Sequence, residues 1–496
     1  MSWKTKGLFS FIVTLHFESN TIIILYFTGY KTCIDHLTMA TEKDTQQNAP
    51  VLKEKEATLT LDQSTNKLAK YGGFDLLETT IDGVSNMNPA RKARKNIFLA
   101  EATKKSERKE LKKRLKLWKQ VLSSNETIAD MVQNSQGRVE SAQKQLIENL
   151  GKAVNASRTL ETSYRSVALF YKNTDEEKIK NLSIMNAEMD QIQDLDLDRA
   201  YQVVEQEISS KYDKLDLKEN YSMLVMPGYL GSNPVISKWA KMAHKNKVMM
   251  VTDFAHLDTP EDVVDMFESA KHTGADAHLA NVIMTSNWLV GRGKYEELGE
   301  QDEDMYVPPA AALAGRIYST LASQVTAGRK HGTLNEVDGV RFELKKSEIS
   351  QMEKIGLVPM VNEYGRVMAF SAKTLFNGDN IGLQTYSVVR VFDWVTKVLI
   401  DFLNRRAFEN WDHNLRMDIQ SQIVRFLDNI TGPGKLIEKF TIKNFARDPK
   451  QKDRILLDIH MIPYFPAKTF LISLDGTKGD DPDSNDRDWN SSYEQK

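Results

Sequence analysis

Three aspartates at alternate positions are the residues of this sequence that most resemble a metal site. Asp194, Asp196 and Asp198, with Glu205 at the twelfth position, have the ligand spacing of a calcium-binding EF-hand loop. The sixth position of such a loop needs glycine for a sharp turn, and here it is Arg199. We therefore interpret the aspartates as a solvated acidic turn that caps a helix, and we predict no metal there.

Other motifs of catalysis and cofactor binding are missing from the sequence. His272 and His278 lie six residues apart without a third ligand nearby in sequence, and the motifs for zinc proteases, P-loops, dinucleotide binding and nucleophile elbows are absent. The single cysteine, Cys33, excludes a disulfide framework and a zinc–thiolate site. We predict no catalytic residue and no cofactor, and hence an interaction protein rather than an enzyme. The alternative is an α/β enzyme or nucleotide-binding protein that uses a sheet at residues 178–285.

The composition is that of an ordinary soluble protein. The 496 residues carry 66 Lys and Arg against 68 Asp and Glu, so no overall charge selects nucleic acid or a membrane. The apolar segments 8–15 and 22–27 are shorter than the roughly 18–20 residues that span a bilayer. We predict that residues 1–38 are an upstream extension that is not native, that the protein begins at Met39, and that it is cytoplasmic.

The N-terminal part of the chain is polar and then helical. Residues 39–90 are predicted to be a flexible arm with a short amphipathic helix, in which Phe74, Leu77 and Ile81 share one face. This helix either docks on its own domain or binds a partner. Residues 91–177 are predicted to be helical, and the basic stretch 91–119 is interpreted as a solvated face or one that meets an acidic partner, because no base-reading motif accompanies it.

Residues 178–345 alternate between strand and helix patterns. Buried strands are predicted at 179–186, 221–227, 248–253 and 280–285, with helices between them at βαβ spacing, which indicates a sheet flanked by helices. A small-residue helix that permits close approach of a neighbour is predicted to begin after Pro308 and Pro309. A hairpin is predicted over 357–369.

The C-terminal region, 346–475, begins with that hairpin and continues with a long apolar helix and two strands. The helix is predicted over Thr385–Arg406 with a narrow polar stripe of alternating charge, and this stripe argues for a core helix rather than a membrane span. The predicted core-helix residues are Arg390, Phe392, Trp394, Val395, Leu399 and Phe402. The predicted strands are Arg454–Ile462 and Lys468–Leu474, whose alternating apolar residues are Ile455, Leu457, Ile459 and Met461, then Phe470, Ile472 and Leu474. Two strands alone are marginally stable, so they need partners in this chain or another. Residues 476–496 are predicted to be an acidic disordered tail.

Several of these segments resemble, in order, the contractile tail-sheath proteins, and most closely the TssC/VipB family of type VI secretion systems. Leu76-Leu77-Glu78-x-x-Ile81 is similar to the Leu-Leu-Asp-Glu-Ile element of that family, and Leu160-Glu161-x-x-Tyr164-Arg165 to its Leu-Glu-x-x-Trp-Arg. Val307-Pro308-Pro309 through Gly315 resembles a run of phage tail sheaths, and Arg390, Asn410-Trp411 and residues 459–467 resemble the sheath C-terminal core. The family's Pro-Arg and Arg-x-Pro-Tyr elements are replaced at 285–292.

The resemblance implies a contractile tail-sheath fold of mixed α/β class. It has a helical N-terminal region, a central mixed sheet flanked by helices, and a C-terminal domain ending in strands that pair between subunits. The implied partners are the small sheath subunit TssB/VipA, further copies of this chain in a helical polymer, the Hcp tube, the ClpV AAA+ ATPase and the baseplate. The implied function is contraction that propels the tube and its effectors out of a bacterial cell, from a membrane-anchored apparatus.

Two hypotheses assign residues to these roles. Arg454–Ile462 and Lys468–Leu474 are expected to form a sheet between subunits, completed by the N-terminal arm of a neighbour and a strand of the small subunit; proline at Ile459 and Ile472 is expected to abolish tubes while the body stays folded. Leu76, Leu77 and Ile81 are expected to be recognised by ClpV after contraction.

Overall fold

A computed structural model of the chain forms two compact units. One contains residues 34–153 and 297–299, and the other contains residues 1–33, 154–296 and 300–496. The structure describes residues 16–17, 20–27, 74–123, 127–175, 179, 182–196, 199–300, 303–468, 470–476 and 489–494, with the single positions 60, 63 and 66. Most of the arm predicted over 39–90 and most of the extension predicted over 1–38 lie outside these ranges.

The first unit is helical, as the sequence predicts. It contains α1 (Phe74–Thr80), α2 (Lys92–Ala100), α3 (Lys105–Ser123) and, up to residue 153, α4 (Ile128–Asn173). Its small core consists of Phe74, Ile81, Val84, Met87, Phe98 and Leu111. The basic α3 is amphipathic: Leu111 is buried, and Arg114 forms an ion pair with Asp82 at 2.8 Å.

The second unit is built on an eight-stranded sheet. Its strands are β1 (His16–Phe17), β2 (Asn20–Phe27), β3 (Leu182–Ala187), β4 (Tyr221–Tyr229), β5 (Met249–Asp253), β6 (Val282–Ser286), β9 (Leu357–Glu363) and β10 (Arg366–Ala369). β2, β4, β5, β6 and β9 are parallel neighbours in that order, β3 pairs in parallel with β2, and β1 and β10 are antiparallel at the ends. β7 (Leu289–Arg292) and β8 (Met305–Val307) form a separate pair.

The structure confirms most of the predicted strands. They could be recognised in the sequence because a parallel strand that is covered on both faces is a continuous apolar run. All five residues of β5 and of β6 are buried. The predicted hairpin is confirmed as β9 and β10, whose turn places Tyr364 and Gly365 at φ 55° and 69°. β2 was not predicted as part of the sheet, since it lies in the segment interpreted as an extension.

Helices cover the sheet. They are α5 (Met189–Gln193), α6 (Arg199–Tyr212), α7 (Asn233–Lys245), α8 (Pro260–Ala270), α9 (Ala310–Ser319), α10 (Gly328–His331) and α11 (Lys346–Lys354). Thr259 caps α8, and its Oγ1 accepts a hydrogen bond from the backbone N–H of Asp262 at 3.2 Å. The core of the unit includes the fully buried Trp239, Tyr221 and Phe254.

The C-terminal region contains α12 (Tyr386–Asn404), α13 (His413–Asn429), β11 (Ile437–Arg447), β12 (Ile455–Pro463), β13 (Leu471–Gly476) and β14 (Trp489–Glu494). The long predicted helix is thus confirmed as α12. A second hydrophobic core joins α12 and α13 to the β11–β12 hairpin, and its fully buried members are Val391, Val395, Ile419, Ile423, Leu427, Ile437 and Phe445. α13 and β11 were not predicted, and β14 lies within the tail that was predicted to be disordered.

Candidate assembly surfaces

The β11–β12 hairpin is where the first predicted intersubunit strand lies. β11 and β12 pair antiparallel from Ile437 opposite Pro463 to Arg447 opposite Ile455. The ladder has irregularities between Ile437 and Lys439 and between Ile442 and Asn444, which are β-bulges that twist the pair. β12 therefore has one strand partner within its own chain.

The apolar residues of β12 that were predicted to mediate intersubunit pairing have their side chains in the chain's own core. Ile455, Leu457, Ile459 and Met461 are half-buried and pack against the second hydrophobic core. Their alternating neighbours Asp458, His460 and Ile462 are exposed. Side-chain packing on the inner face is thus used internally, and the outer face of β12 exposes both polar and apolar side chains, those of Asp458, His460 and Ile462.

Both strands of this hairpin have an open edge. Within the described residues, β11 and β12 form a sheet of two strands, so each has one neighbour only. Unpaired N–H and C=O groups along a strand edge are a template for another strand. A two-stranded sheet is also marginal by itself, and here α12 and α13 support it from one face.

The second predicted strand is displaced from the first by a short connection. After Pro463 the chain passes through Tyr464 and Phe465, and Lys468 forms an ion pair with Glu353 at 2.6 Å. β13 then pairs antiparallel with β14, with Ile472 opposite Tyr493. Among the described residues β13 does not pair with β12. The side chain of Leu474 lies outside the described residues.

β13 differs from β12 in the environment of its side chains. Phe470 is 59% exposed and Ile472 is 49% exposed. Phe470, which immediately precedes β13, and Ile472 within it are thus uncovered, whereas the inner residues of β12 pack on a core.

The polar stripe of α12 has a role that the sequence did not reveal. Lys397 Nζ donates to the carbonyl oxygen of Tyr221 at 2.7 Å, and Asp401 Oδ1 accepts from the backbone N–H of Leu217 at 2.9 Å. Asp393 Oδ2 accepts from the side-chain amide of Asn281 at 2.7 Å. The stripe therefore faces the central sheet and its flanking segments, and only Arg405 on Asp401 forms the expected pair along the helix.

The core-helix assignment needs one correction. Val395 is buried, and Trp394, Leu399 and Phe402 are partly buried in the second core, as expected. Phe392 is exposed. The polar side of α12 contacts the sheet and its apolar side contacts the second core. Phe392 lies on the part of the helix surface that neither of them covers.

The small-residue helix α9 is packed as predicted. Gly315 lies against the main chain of Phe170 on α4, and a Cβ at this position would lie 3.1 Å from the Phe170 carbonyl carbon. At the start of α9, the backbone N–H of Ala310 donates to Asp253 Oδ1 at 2.7 Å. Asp253 also accepts from the backbone N–H of Gly228 at 2.8 Å and from the hydroxyl of Thr285. Burial raises the pKa of Asp253 to about 7.

The segment that departs from the sheath pattern forms an ion network. Arg292 Nη1 donates to Glu300 Oε2 at 2.9 Å, and its Nε donates to Glu161 Oε1 at 3.0 Å. Arg165 also pairs with Glu161 at 2.9 Å, and Arg158 with Glu300. Hydrogen bonds from Arg292 and from the backbone N–H of Tyr295 lower the pKa of Glu300 to about 2. The residues that carry the Leu-Glu-x-x-Tyr-Arg resemblance therefore hold the loop after β7.

The predicted recognition helix is docked on its own unit. Ile81 is 2% exposed, and Phe74 is also buried in the small core that Leu77 packs against. The side chain of Leu76 lies outside the described residues. Glu78 accepts a hydrogen bond from Asn88 at 2.6 Å and pairs with Arg91 at 3.7 Å. A partner could bind the side chain of Ile81 only after this small core had come apart.

The candidate metal residues have other partners. Asp194 Oδ1 accepts from the backbone N–H of Asp196 at 2.8 Å, and α6 begins at Arg199, as the acidic-turn interpretation predicts. Asp198 lies outside the described residues. Within the residues that the structure describes, no cluster of three His, Cys, Asp or Glu side chains is arranged to hold a metal ion. His272 is within 2.9 Å of the Tyr229 hydroxyl and His278 within 3.0 Å of Ser237 Oγ.

Every helix among the described residues is too short or too polar to cross a membrane.

Parts of the chain are similar to known tail sheath proteins. The chain is 25% identical over 183 residues to the tail sheath protein of Vibrio phage KVP40, which is 36% of this chain and 27% of that protein. The chain thus spans about a quarter of the length of this curated relative. Among solved structures, the helical sheath of the anti-feeding prophage in its contracted state aligns with a TM-score of 0.47 at 15% identity, over 64% of this chain and 82% of that one. The sheath tail protein of Desulfitobacterium hafniense aligns with a TM-score of 0.34 at 11% identity, over 53% and 60%.

The chain is a contractile-sheath protein. Sequence models described as the N-terminal region, the central domain and the C-terminal domain of TssC/VipB match residues 61–150, 152–377 and 385–495. The chain belongs to the TssC/VipB family of type VI secretion systems.

Proposed function

We propose that this chain is the large subunit of a type VI secretion sheath. It co-polymerises with the small subunit TssB/VipA around a tube of Hcp rings, and contraction of the polymer drives the tube and its effectors out of the cell. The polymer grows in the bacterial cytoplasm from a baseplate on a membrane-anchored apparatus, and ClpV disassembles it after contraction. The chain itself carries no catalytic role in this scheme.

The observation that carries the proposal is the match of three successive TssC/VipB regions along the chain. The terminal strands support it physically. β11 and β12 each leave one main-chain edge without a strand among the described residues, and Phe470, just before β13, and Ile472, within it, are exposed. Each hydrogen bond to a strand of another subunit adds only about 1 kcal/mol net, but a helical polymer repeats the joint at every subunit.

Co-expression with the product of the neighbouring small gene, followed by negative-stain electron microscopy, tests the proposal. Tubes of uniform diameter are expected from the pair, and neither chain alone is expected to form them. Purification of the pair as a compact heterodimer at all concentrations would reject a sheath role.

Ile472 is the sharper position for testing strand pairing between subunits. Proline at Ile459 would remove a residue paired with Ile442 and packed in the second core, so it would damage the chain itself. Ile472 is also paired within the chain, opposite Tyr493 of β14, but it lies outside the two large cores, so Ile472→Pro removes an N–H from β13 and no side chain from those cores. Ile472→Ala is the matched control, since it removes the side chain and keeps the N–H. Loss of tubes with Pro and retention with Ala would show that main-chain pairing is what matters, whereas tubes from both variants would reject the role of β13.

The competing function, an α/β enzyme or nucleotide-binding protein, is disfavoured by the end of β5. Open α/β sheets bind ligands outside the carboxyl ends of their parallel strands. Here the carboxylate in that place, Asp253, accepts hydrogen bonds from Gly228, Thr285 and Ala310 of its own chain. The group that would bind a ligand is thus engaged in holding α9.

A further inference from the structure

α12 lies on the central sheet along a row of polar contacts. Five of its side chains, three or four residues apart, each bond to a group of the sheet or of its flanking segments: Arg390, Asp393, Lys397, Asp401 and Asn404. Residues at this spacing lie on one face of a helix, and these five extend over about 21 Å of its length. We call this row of contacts the polar seam.

The order of charges along the polar seam matches the groups that it faces. The three donors bond to main-chain carbonyl oxygens: Arg390 to Ile317 at 3.3 Å, Lys397 to Tyr221 at 2.7 Å and Asn404 to Leu215 at 3.2 Å. The two acceptors bond to N–H groups: Asp393 to the side-chain amide of Asn281 at 2.7 Å and Asp401 to the backbone of Leu217 at 2.9 Å. A shift of α12 by one turn would set the carboxylate of Asp393 or Asp401 against the Tyr221 carbonyl oxygen, and two acceptors repel each other. The polar seam therefore fits one placement of α12.

Apolar packing does not continue across the polar seam. Tyr386 and Val389, in the first turn of α12, belong to the core of the sheet, whereas Val391 and Val395 belong to the second hydrophobic core, and the two cores are separate clusters. A cavity of about 430 Å³ also interrupts the packing of α12 on the amino ends of β4 and β5. Beyond its first turn, α12 is therefore held on the sheet by polar contacts rather than by a packed apolar interface.

The β11–β12 hairpin is carried by the part of α12 that the polar seam holds. Its inner side chains pack in the second core with Val391 and Val395 of α12 and with α13. A further polar contact joins the two sides, since Ser323 Oγ donates to the carbonyl oxygen of Lys435, two residues before β11, at 2.8 Å. The orientation of the hairpin relative to the sheet thus depends on the polar seam.

We propose that the polar seam is a positioning device, which sets the orientation in which the second core presents the β11–β12 hairpin for assembly. Buried polar contacts can specify one arrangement where apolar packing alone would allow several. A helical polymer repeats one contact at every subunit, so each subunit must present the hairpin in the same orientation. The link to assembly rests on the proposed sheath function, whereas the positioning role rests on the contacts of this chain.

Two substitutions at Asp401 separate the hydrogen bond from the charge. Asp401→Asn keeps an oxygen that can accept from the Leu217 N–H, and Asp401→Leu removes it, while both lose the ion pair with Arg405 equally. Combining Asp401→Leu with Lys397→Met removes two of the five contacts. Val395→Ala is the packing control, because it removes apolar volume from the second core and leaves the polar seam intact.

Distances between two spin labels measure the orientation of the hairpin. In a Cys33→Ser background, labels at Asp458→Cys on β12 and Lys241→Cys on α7, both exposed positions, report the distance from hairpin to sheet in the full chain by double electron–electron resonance. The unaltered seam and Asp401→Asn are expected to give one narrow distance distribution. Val395→Ala is expected to keep that distribution although its melting temperature falls by several degrees. Lys397→Met/Asp401→Leu is expected to give a broadened or divided distribution.

A narrow, unaltered distribution in the folded double variant would overturn the positioning role, because the orientation would then be set by packing. Should the double variant not melt cooperatively, Asp401→Leu alone against Asp401→Asn makes the same comparison. There too, equal distributions would overturn the role.

Pelleting with the product of the neighbouring small gene tests the link to assembly. The double variant is expected to need a roughly tenfold higher concentration for half-assembly, and Asp401→Asn is expected to match the wild type. Broadened distances with wild-type assembly would overturn the link. A wild-type pair that forms no tubes would reject the proposed function, and the distance measurements on the single chain would still decide the positioning role.

Discussion

Gly315 gives a prediction whose sign and size come directly from the packing of α9 on α4. A methyl group at this position would lie 3.1 Å from the carbonyl carbon and 3.2 Å from the Cα of Phe170, and closer still to the carbonyl oxygen. These atoms belong to the main chain of another helix, so no side-chain rotation can relieve the contact. Gly315→Ala must therefore move one helix away from the other.

Two opposing terms set the magnitude. Alanine in place of a helical glycine gains about 1 kcal/mol of helix propensity. Overpacking costs about 1–3 kcal/mol and more when the neighbour is rigid. Because the neighbour here is backbone, we expect the cost to lie at the upper end and the free energy of unfolding to fall by about 2 kcal/mol. The melting temperature should fall by several degrees.

Gly137→Ala provides a control of opposite sign. Gly137 also lies within α4, but nothing lies within 4 Å of a Cβ at that position, so only the propensity gain remains. Urea unfolding of both variants, followed by far-ultraviolet circular dichroism, should show Gly137→Ala equal to or more stable than the wild type and Gly315→Ala less stable. A Gly315→Ala chain as stable as the wild type would refute the close approach of the two helices.

Three further predictions concern charge and the N-terminal cluster. The pKa of Glu300 is lowered to about 2 beside Arg292, so its contribution to stability is complete above its ordinary value of 4.5 and is lost as the pH falls toward 2; acid unfolding of Glu300→Gln should lack this step. Burial lowers the pKa of Lys397 to about 7. Between pH 7 and about 10 the unfolded chain therefore binds one proton more than the folded chain, and the free energy of unfolding should rise with pH over that range. Thermal melts of Lys397→Met should show a smaller rise. Leu77→Asp should lower both hydrogen-exchange protection of the small core and binding of ClpV, and undiminished ClpV binding would remove this helix as the recognition element.

Local patterns predicted the elements whose burial is simple. β5 and β6 are apolar runs because both of their faces are covered, and α12 is recognisable because its apolar face meets a core along its whole length. β11 escaped prediction because its two bulges change the spacing of its inner apolar residues. Ile437, Phe440, Ile442 and Phe445 stand three, two and three residues apart, whereas a regular strand would keep a spacing of two.

α13 could have been predicted. Its buried residues Ile419, Ile423 and Leu427 recur every four positions, and Asp412 caps its first turn by accepting from the N–H of Leu415 at 2.7 Å. The partners of the polar stripe on α12 could not have been predicted from the sequence. Lys397 donates to a carbonyl 176 positions earlier in the chain, and no local pattern encodes such a pair. The alternating charges of the stripe thus reflect contacts with distant backbone groups and with the side chain of Asn281.

The contrast between β12 and β13 bears on how a sheath subunit can keep its fold while its contacts change. The inner side chains of β12 pack in a core shared with α12 and α13. Detaching β12 would expose that core to water, which costs about 25 cal/mol for each Å² of apolar surface. The side chains of Phe470, just before β13, and of Ile472, within it, are exposed, and the segment that precedes them forms an ion pair with the body through Lys468. The described contacts of this segment include the Lys468–Glu353 ion pair and the ladder between β13 and β14. Under the proposed sheath function, we therefore expect β13, and not the β11–β12 hairpin, to change its partners when the polymer rearranges.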